Sequence, residues 1–239
     1  MKILVTGHDG FIGSHVSEHL RSLGYEVDGI SFPDDINDFS GTTRYDLVVH
    51  LAAFANIRGS LENPDVFWEN NVEKSKPIFD YCRRYDIRCL YASSSAVHEW
   101  WINPYAITKK VNEVQAPPNS VGMRFYNVWA EKDSRSDMLY RMLQEKTAKY
   151  LTRHRRDWIH VHDVARAICF LMPDKYRGVI DIGTGKTTAV LELAEKMGMG
   201  DLPIKEDTPG ERDETCADTR ELTKLGWHPT INILDFASV

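Results

Sequence analysis

Residues 2–13, Lys2-Ile-Leu-Val-Thr-Gly-His-Asp-Gly-Phe-Ile-Gly13, decide the fold. The apolar run Ile3–Val5 reads as a short buried parallel strand, and Phe11, Ile12, Val16 and Leu20 then recur at helical spacing. Between strand and helix stand three glycines. Gly7 permits the tight turn, Gly10 lets the backbone approach a pyrophosphate, and Gly13 lets the helix pack close to the strand. The helix N-terminus, with Asp9, Phe11 and Ile12 in the same turn, points N–H groups at the anion. The spacing is GxxGxxG, not the commoner GxGxxG; an ordinary strand-to-helix turn is the alternative.

Outward from this turn, strands are expected at 25–31, 45–53, 87–93 and 120–126, separated by a long helix at 64–85 and a proline-led helix at 104–115. Such alternation predicts an α/β fold, a Rossmann-type doubly wound parallel sheet. Beyond it come a helix at 136–149, a strand at 157–161, a helix at 163–171, a strand at 178–182 and a helix at 188–197. These imply a sheet domain of residues 1–128 plus 156–183 and a small C-terminal substrate-binding lobe of 129–155 plus 184–239.

A net charge of −6 argues against general affinity for nucleic acid or an anionic membrane, so an anionic ligand must be met locally. Four cysteines without CxxC spacing fit a reducing compartment. The lack of a leader-like or spanning apolar run leads to the expectation of a cytoplasmic protein.

An acid about 20 residues past the glycines should meet the adenosine ribose, but that position holds Ser31. Asp35 and Ile36 are better placed to flank the adenine. Arginine and lysine are absent between Arg21 and Arg44, which favours NAD over NADP.

Tyr105 and Lys109 lie four residues apart at a helix start and share a face. Bringing a tyrosine from about 10 to about 7 takes about 4 kcal/mol of phenolate stabilisation, within reach of a nearby ammonium plus an oxidised nicotinamide. The pair follows Ser93-Ser94-Ser95 at a strand end, where doubly wound folds bind ligands. Ser95 is read as the hydroxyl that bonds the reacting substrate oxygen, with Ser93 and Ser94 as candidate caps.

Taken together, TGHDGFIG (6–13), HLAA (50–53), NNV (70–72), SSSAV (93–97), YAITK (105–109), RFYNV (124–128), RDWIHVHDVARA (156–167), DIGTG (181–185) and LGWHP (225–229) resemble, in order, the extended short-chain dehydrogenase/reductases, in their NAD-dependent epimerase/dehydratase branch. The resemblance covers nearly the whole chain. It implies that Leu51, Ala52 and Ala53 line the cofactor cleft, that Asn70 supports it, that Ser93 adjoins it and that Phe125 lies beside the nicotinamide. It further implies a nucleotide-sugar substrate: Asn127 at its phosphate or sugar end, Arg156 on its phosphates and Tyr150 against its base. Dehydratases and decarboxylases of the branch carry acids where Ser95 and Ala96 stand, so a UDP-sugar 4-epimerase type is expected, using Ser95, Tyr105 and Lys109. A ketoreductase and a non-catalytic dinucleotide-binding subunit are the alternatives.

The chain also departs from the branch. The 95–105 linker is short, His98 and Glu99 replace tyrosine and glycine, and Thr208 replaces the arginine that clamps the diphosphate. Arg212 is the candidate substitute. Family members pair through helices corresponding to 64–85 and 104–115, which makes a homodimer possible. Gly183-Thr-Gly-Lys-Thr187 lacks the first glycine of a triphosphate loop. His160 and His162 have no third ligand set by spacing, and no metal is expected. Trp100-Trp101 is read as a loop anchor.

Overall fold

The computed structural model describes residues 1–31, 39, 41–132, 135–136, 138–206 and 208–237. Asp35 and Ile36 therefore lie outside the described residues. The chain runs through β1 (Lys2–Thr6), α1 (Phe11–Ser22), β2 (Glu26–Ile30), β3 (Leu47–His50), α2 (Ile57–Glu62), α3 (Pro64–Asn71), α4 (Lys76–Tyr85), β4 (Arg88–Ser94), α5 (Pro104–Gln115) and β5 (Ser120–Phe125). There follow β6 (Asn127–Trp129), α6 (Leu139–Gln144), β7 (Arg155–His160), α7 (Val161–Leu171), β8 (Gly178–Ile182), β9 (Thr187–Ala189), α8 (Val190–Lys196), β10 (Glu214–Thr215) and α9 (Arg220–Leu225).

Six strands form one parallel sheet in the order β2-β1-β3-β4-β5-β8. Side chains alternate across a strand, and here both faces are buried. Ile3, Val5, Leu47, Val49 and Leu90 join α1 and α7 in one core cluster. Their neighbours Leu4, Val48, Cys89 and Tyr91 join Ile78, Phe79 and Cys82 of α4 in another. This is the Rossmann-type arrangement expected from the alternation of strands and helices.

The single helix expected over 64–85 is three pieces: α3, a 3₁₀ turn at Glu73–Ser75, and α4. Pro77 lacks the N–H that would continue the α-helical ladder, and its ring crowds the carbonyl four residues back. By contrast, α5 spans the expected residues. Asn103 caps it by accepting from the N–H of Ala106 at 2.7 Å, and Pro104 stands in its first turn.

A second sheet, β10-β7-β6 with β9 antiparallel on β7, sits beyond the ends of β4 and β5. Its strands draw on residues 127–129 and 155–160 as well as on the C-terminal stretch. A separate cluster of Trp129, Tyr140, Leu143, Leu151, Leu193 and Ile233 packs α6 and α8 against it. Asp157 is fully buried there, and its carboxylate accepts from the N–H groups of Thr184, Gly185 and Ala217. An internal carboxylate thus fills the Gly183–Thr187 turn that a triphosphate loop would keep for a ligand.

Candidate active site

A cleft of about 1120 Å³ is lined by the carboxyl ends of the parallel strands and by residues of the second sheet and the segments around it. It is lined by every expected site residue that is described: Gly7, Asp9, Gly10, Phe11, Ile12, Gly13, Leu51, Ala52, Ala53, Asn70, Ser93, Ser95, Tyr105, Lys109, Phe125, Asn127, Tyr150, Arg156 and Arg212.

At the glycine turn the backbone leaves no room for side chains. A Cβ on Gly13 would stand 1.9 Å from the carbonyl oxygen of Gly7, and one on Gly7, whose φ is +71°, would stand 2.8 Å from the nitrogen of Ala52. Gly10 is the N-cap of α1, with no side-chain cap and no acid in the first turn. The free N–H groups and the positive end of the helix therefore face the cleft, which suits a dinucleotide pyrophosphate. Ser31, at the ribose-acid position, accepts from the N–H of Asp9 at 3.3 Å and is hydrogen-bonded to His8 at 2.9 Å.

Two buried residues that sequence reasoning passed over hold the cleft wall. His50 is hydrogen-bonded to Thr6 at 2.6 Å and to Ser75 at 2.9 Å, and burial pushes its imidazole down to about 3, which keeps it neutral. Asn71 accepts from the N–H of Phe54 at 2.8 Å and donates to the carbonyl of Phe54 at 3.0 Å and to Thr108 at 3.1 Å. Loop 51–56 is thereby pinned to α5. Asn70, the expected support, lines the cleft and donates to the side-chain amide oxygen (Oδ1) of Asn71 at 3.1 Å.

Of the three serines, it is the Ser94 hydroxyl that acts on the Tyr105 phenol, holding it lower than burial alone would. Ser94 ends β4 in extended conformation and its Oγ accepts from the N–H of Ala96 at 3.2 Å, so its own O–H is left to donate toward Tyr105. It is thus a cap and a partner of Tyr105 at once. Ser93, on the opposite side of the strand, donates to Glu113 at 2.7 Å. Lys109 donates to the carbonyl of Ala92 at 3.0 Å, with Nζ 5.9 Å from the centre of the Tyr105 ring.

Burial acts on both members of the pair. It pushes the Tyr105 phenol up, and the Ser94 hydrogen bond and the charge of Arg135 only partly offset it. It pushes the Lys109 ammonium down to about 7. Lys109 therefore does not, at neutral pH, supply the full charge expected of it. Arg135, which lines the cleft and donates to the carbonyl of Ala55 at 3.0 Å, adds a positive charge that holds the phenol down.

At the far end, the Glu211 carboxylate lies 2.8 Å from Arg58 of α2, 3.5 Å from Arg156 and 3.5 Å from His154, whose imidazole burial pushes down. Tyr150, expected against a base, has its ring flanked by Lys205 at 5.2 Å and Arg58 at 5.6 Å. Arg212 is turned toward Glu99, at 3.0 Å. Thr208 is hydrogen-bonded to His154 at 3.0 Å. Trp100 and Trp101 pack edge-on at 6.0 Å outside the cleft lining, and Trp101 is 63% exposed.

Residues 3–183 match the NAD dependent epimerase/dehydratase family. The chain belongs to that family. It is 27% identical to a putative UDP-glucose 4-epimerase of Methanocaldococcus jannaschii, over 97% of this chain and 94% of the relative, and 29% identical to protein CapI of Staphylococcus aureus, over 98% and 96%. The latter alignment spans 323 positions against 239 residues here, so the relative carries stretches that this family member lacks. Among solved structures, the UDP-glucuronic acid 4-epimerase of Bacillus cereus, in complex with UDP-glucuronic acid and NAD, superposes with a TM-score of 0.86 at 22% identity, covering 99% of this chain and 96% of that one. Among the described residues, no helix is long and apolar enough to cross a membrane.

Proposed function

We propose that this protein is an NAD-dependent nucleotide-sugar 4-epimerase that works by transient oxidation of the sugar to a keto form. The observation that carries the reading is that Tyr105, with Lys109 Nζ 5.9 Å from its ring centre and Ser94 acting on its phenol, lines one cleft with a glycine turn suited to a pyrophosphate. Bound NAD supplies the hydride acceptor and donor. Ser94 holds the reacting hydroxyl and Tyr105 takes its proton, then returns it from the same position. The charged form of Lys109 favours the phenolate. Ser95 and Ala96 offer no carboxylate beside Ser94 to eliminate water or serve a decarboxylation. Arg156 and Asn127 are assigned to the phosphate and sugar ends, and Tyr150 to the base.

The test is to incubate the purified protein with UDP-glucose, UDP-N-acetylglucosamine and UDP-glucuronate in turn and analyse the products, with the denatured protein assayed for released NAD. A 4-epimer formed without added cofactor supports the proposal. Turnover only with supplied NADH or NADPH would replace it with a ketoreductase.

A further inference from the structure

The small-lobe turn 209–212 faces two ways. Glu211 points to the cations at the far end of the cleft, whereas its neighbours grip the segment that follows Ser94. Asn103 donates to the carbonyl of Gly210 at 2.9 Å, Arg212 Nε donates to Glu99 at 3.0 Å, and Arg212 Nη1 donates to the carbonyl of Ser95 at 3.4 Å. Gly210 has φ +75°, and a Cβ there would meet Asn103 at 3.2 Å, so turn and segment are in close contact.

The gripped segment is irregular. Residues 95–102 form a 3₁₀ run broken at Glu99, where φ −129° and ψ 56° interrupt the local hydrogen bonds. The contact at Ser95 also bears directly on the chemistry. The peptide joining Ser95 to Ala96 donates its N–H to Ser94 Oγ, and its carbonyl accepts from Arg212. One guanidinium therefore holds the peptide group that orients the Ser94 hydroxyl. Hydrogen bonds in series through one peptide polarise and align one another. Glu99 and Arg212 are side chains of this chain's own shortened linker and turn, and each occupies the other.

We propose that Arg212, held by Glu99, is a positioning residue for Ser94 and not a clamp on the substrate's phosphates. This rests on the 4-epimerase reading for its kinetic test, and a second readout separates the two. Arg212→Gln, Arg212→Lys, Glu99→Gln, the Glu99→Gln/Arg212→Gln double variant and Arg156→Gln are compared for kcat, KM and affinity for UDP by calorimetry. Arg212→Gln and Glu99→Gln should each lower kcat about tenfold, as small misplacements of a reacting group do, with KM and UDP affinity unchanged within about twofold. The double variant should be no worse than the single ones. Arg212→Lys should recover part of kcat, and Arg156→Gln should weaken UDP about tenfold. A loss of UDP affinity in Arg212→Gln with kcat preserved would overturn the proposal, as would unchanged kcat in Glu99→Gln. If the wild-type protein converts no nucleotide sugar, the epimerase reading fails alone. Hydrogen exchange over residues 95–103 then decides: faster exchange in Arg212→Gln and Glu99→Gln supports the brace, and unchanged exchange overturns it.

Discussion

Lys109 Nζ lies 5.9 Å from the centre of the Tyr105 ring and is tethered at 3.0 Å to the carbonyl of Ala92, inside a site that buries both side chains. The tether lets a lysine stand where solvent cannot reach it, at the cost of its charge: burial brings the ammonium down to about 7 from 10.5. An unfolded chain would hold that proton up to its ordinary value. Between about 7 and 10.5 the unfolded state therefore binds more protons, and this group makes stability rise with pH across that window. Below about 7 both states are protonated and the cost, on the order of a few kcal/mol, is fully present. Lys109→Met should accordingly melt higher than the wild type at pH 6, and the difference should shrink by pH 9. Calorimetric scans at both values check this; a gap that stays constant with pH would show that Lys109 is charged throughout.

The role proposed for Ser94 has a direct kinetic consequence. Ser94→Ala removes the hydroxyl that acts on the Tyr105 phenol and should lower kcat by roughly 10²-fold. Ser95→Ala leaves the backbone carbonyl that Arg212 holds and should keep kcat within about threefold, a change typical of a side chain outside the reaction. Tyr105→Phe should abolish turnover with NAD binding retained. Steady-state assays of the three variants, with NAD affinity measured alongside, decide the order; equal losses in the two serine variants would remove the distinction.

What sequence reasoning could reach follows from how local each feature is. The glycine turn and the Tyr105–Lys109 pair are set by spacing within one turn or one helix, so they were legible from residue numbers alone. Three consecutive serines are chemically alike, and which of them meets Tyr105 depends on where β4 stops and the backbone bends, at Ser94. The break at Pro77 was written in the sequence, because a proline inside an apolar helical pattern is a stop signal, yet the periodicity on either side masked it. The second sheet was not legible: β6, β9 and β10 are two or three residues long, too short for any alternation to show. Nor was Arg58, whose partner Glu211 lies 153 residues away in the chain.

Asn71 illustrates a buried polar group whose value is positional. Its two bonds to the backbone of Phe54 and one to Thr108 join the cofactor-cleft loop to the helix that carries Tyr105. Asn71→Ala would leave the N–H and C=O of Phe54 without that partner and should cost about 1–3 kcal/mol. Because the loop lines the cleft, NAD affinity should fall in the same variant, whereas Asn70→Ala, which removes a bond to the Asn71 side chain, should change stability by less. Chemical denaturation and NAD titration of both variants check the ranking.

The tightest constraint on the dinucleotide cradle is at Gly13. Gly13→Ala would drive a methyl carbon to 1.9 Å from the Gly7 carbonyl oxygen and 2.7 Å from its carbon, and both are main-chain atoms that cannot rotate away. Either α1 lifts from β1 or the Gly7 peptide turns, and Gly7 is itself confined, with Ala52 2.8 Å from where its own Cβ would be. Lifting α1 opens its contact with Val164 and Ile168 of α7 in the main core, so the variant should lose about 3 kcal/mol, the upper range for overpacking. Turning the peptide instead redirects the N–H groups that face the cleft, so NAD affinity should fall more than tenfold even where the protein stays folded. Gly10→Ala separates the two effects, since a Cβ there meets only the Gly7 oxygen at 3.2 Å. It should leave the melting temperature nearly unchanged and weaken NAD by intruding on the pyrophosphate. If Gly10→Ala binds NAD as tightly as the wild type, the pyrophosphate does not approach this turn, and the cofactor's position in the cleft must be assigned anew.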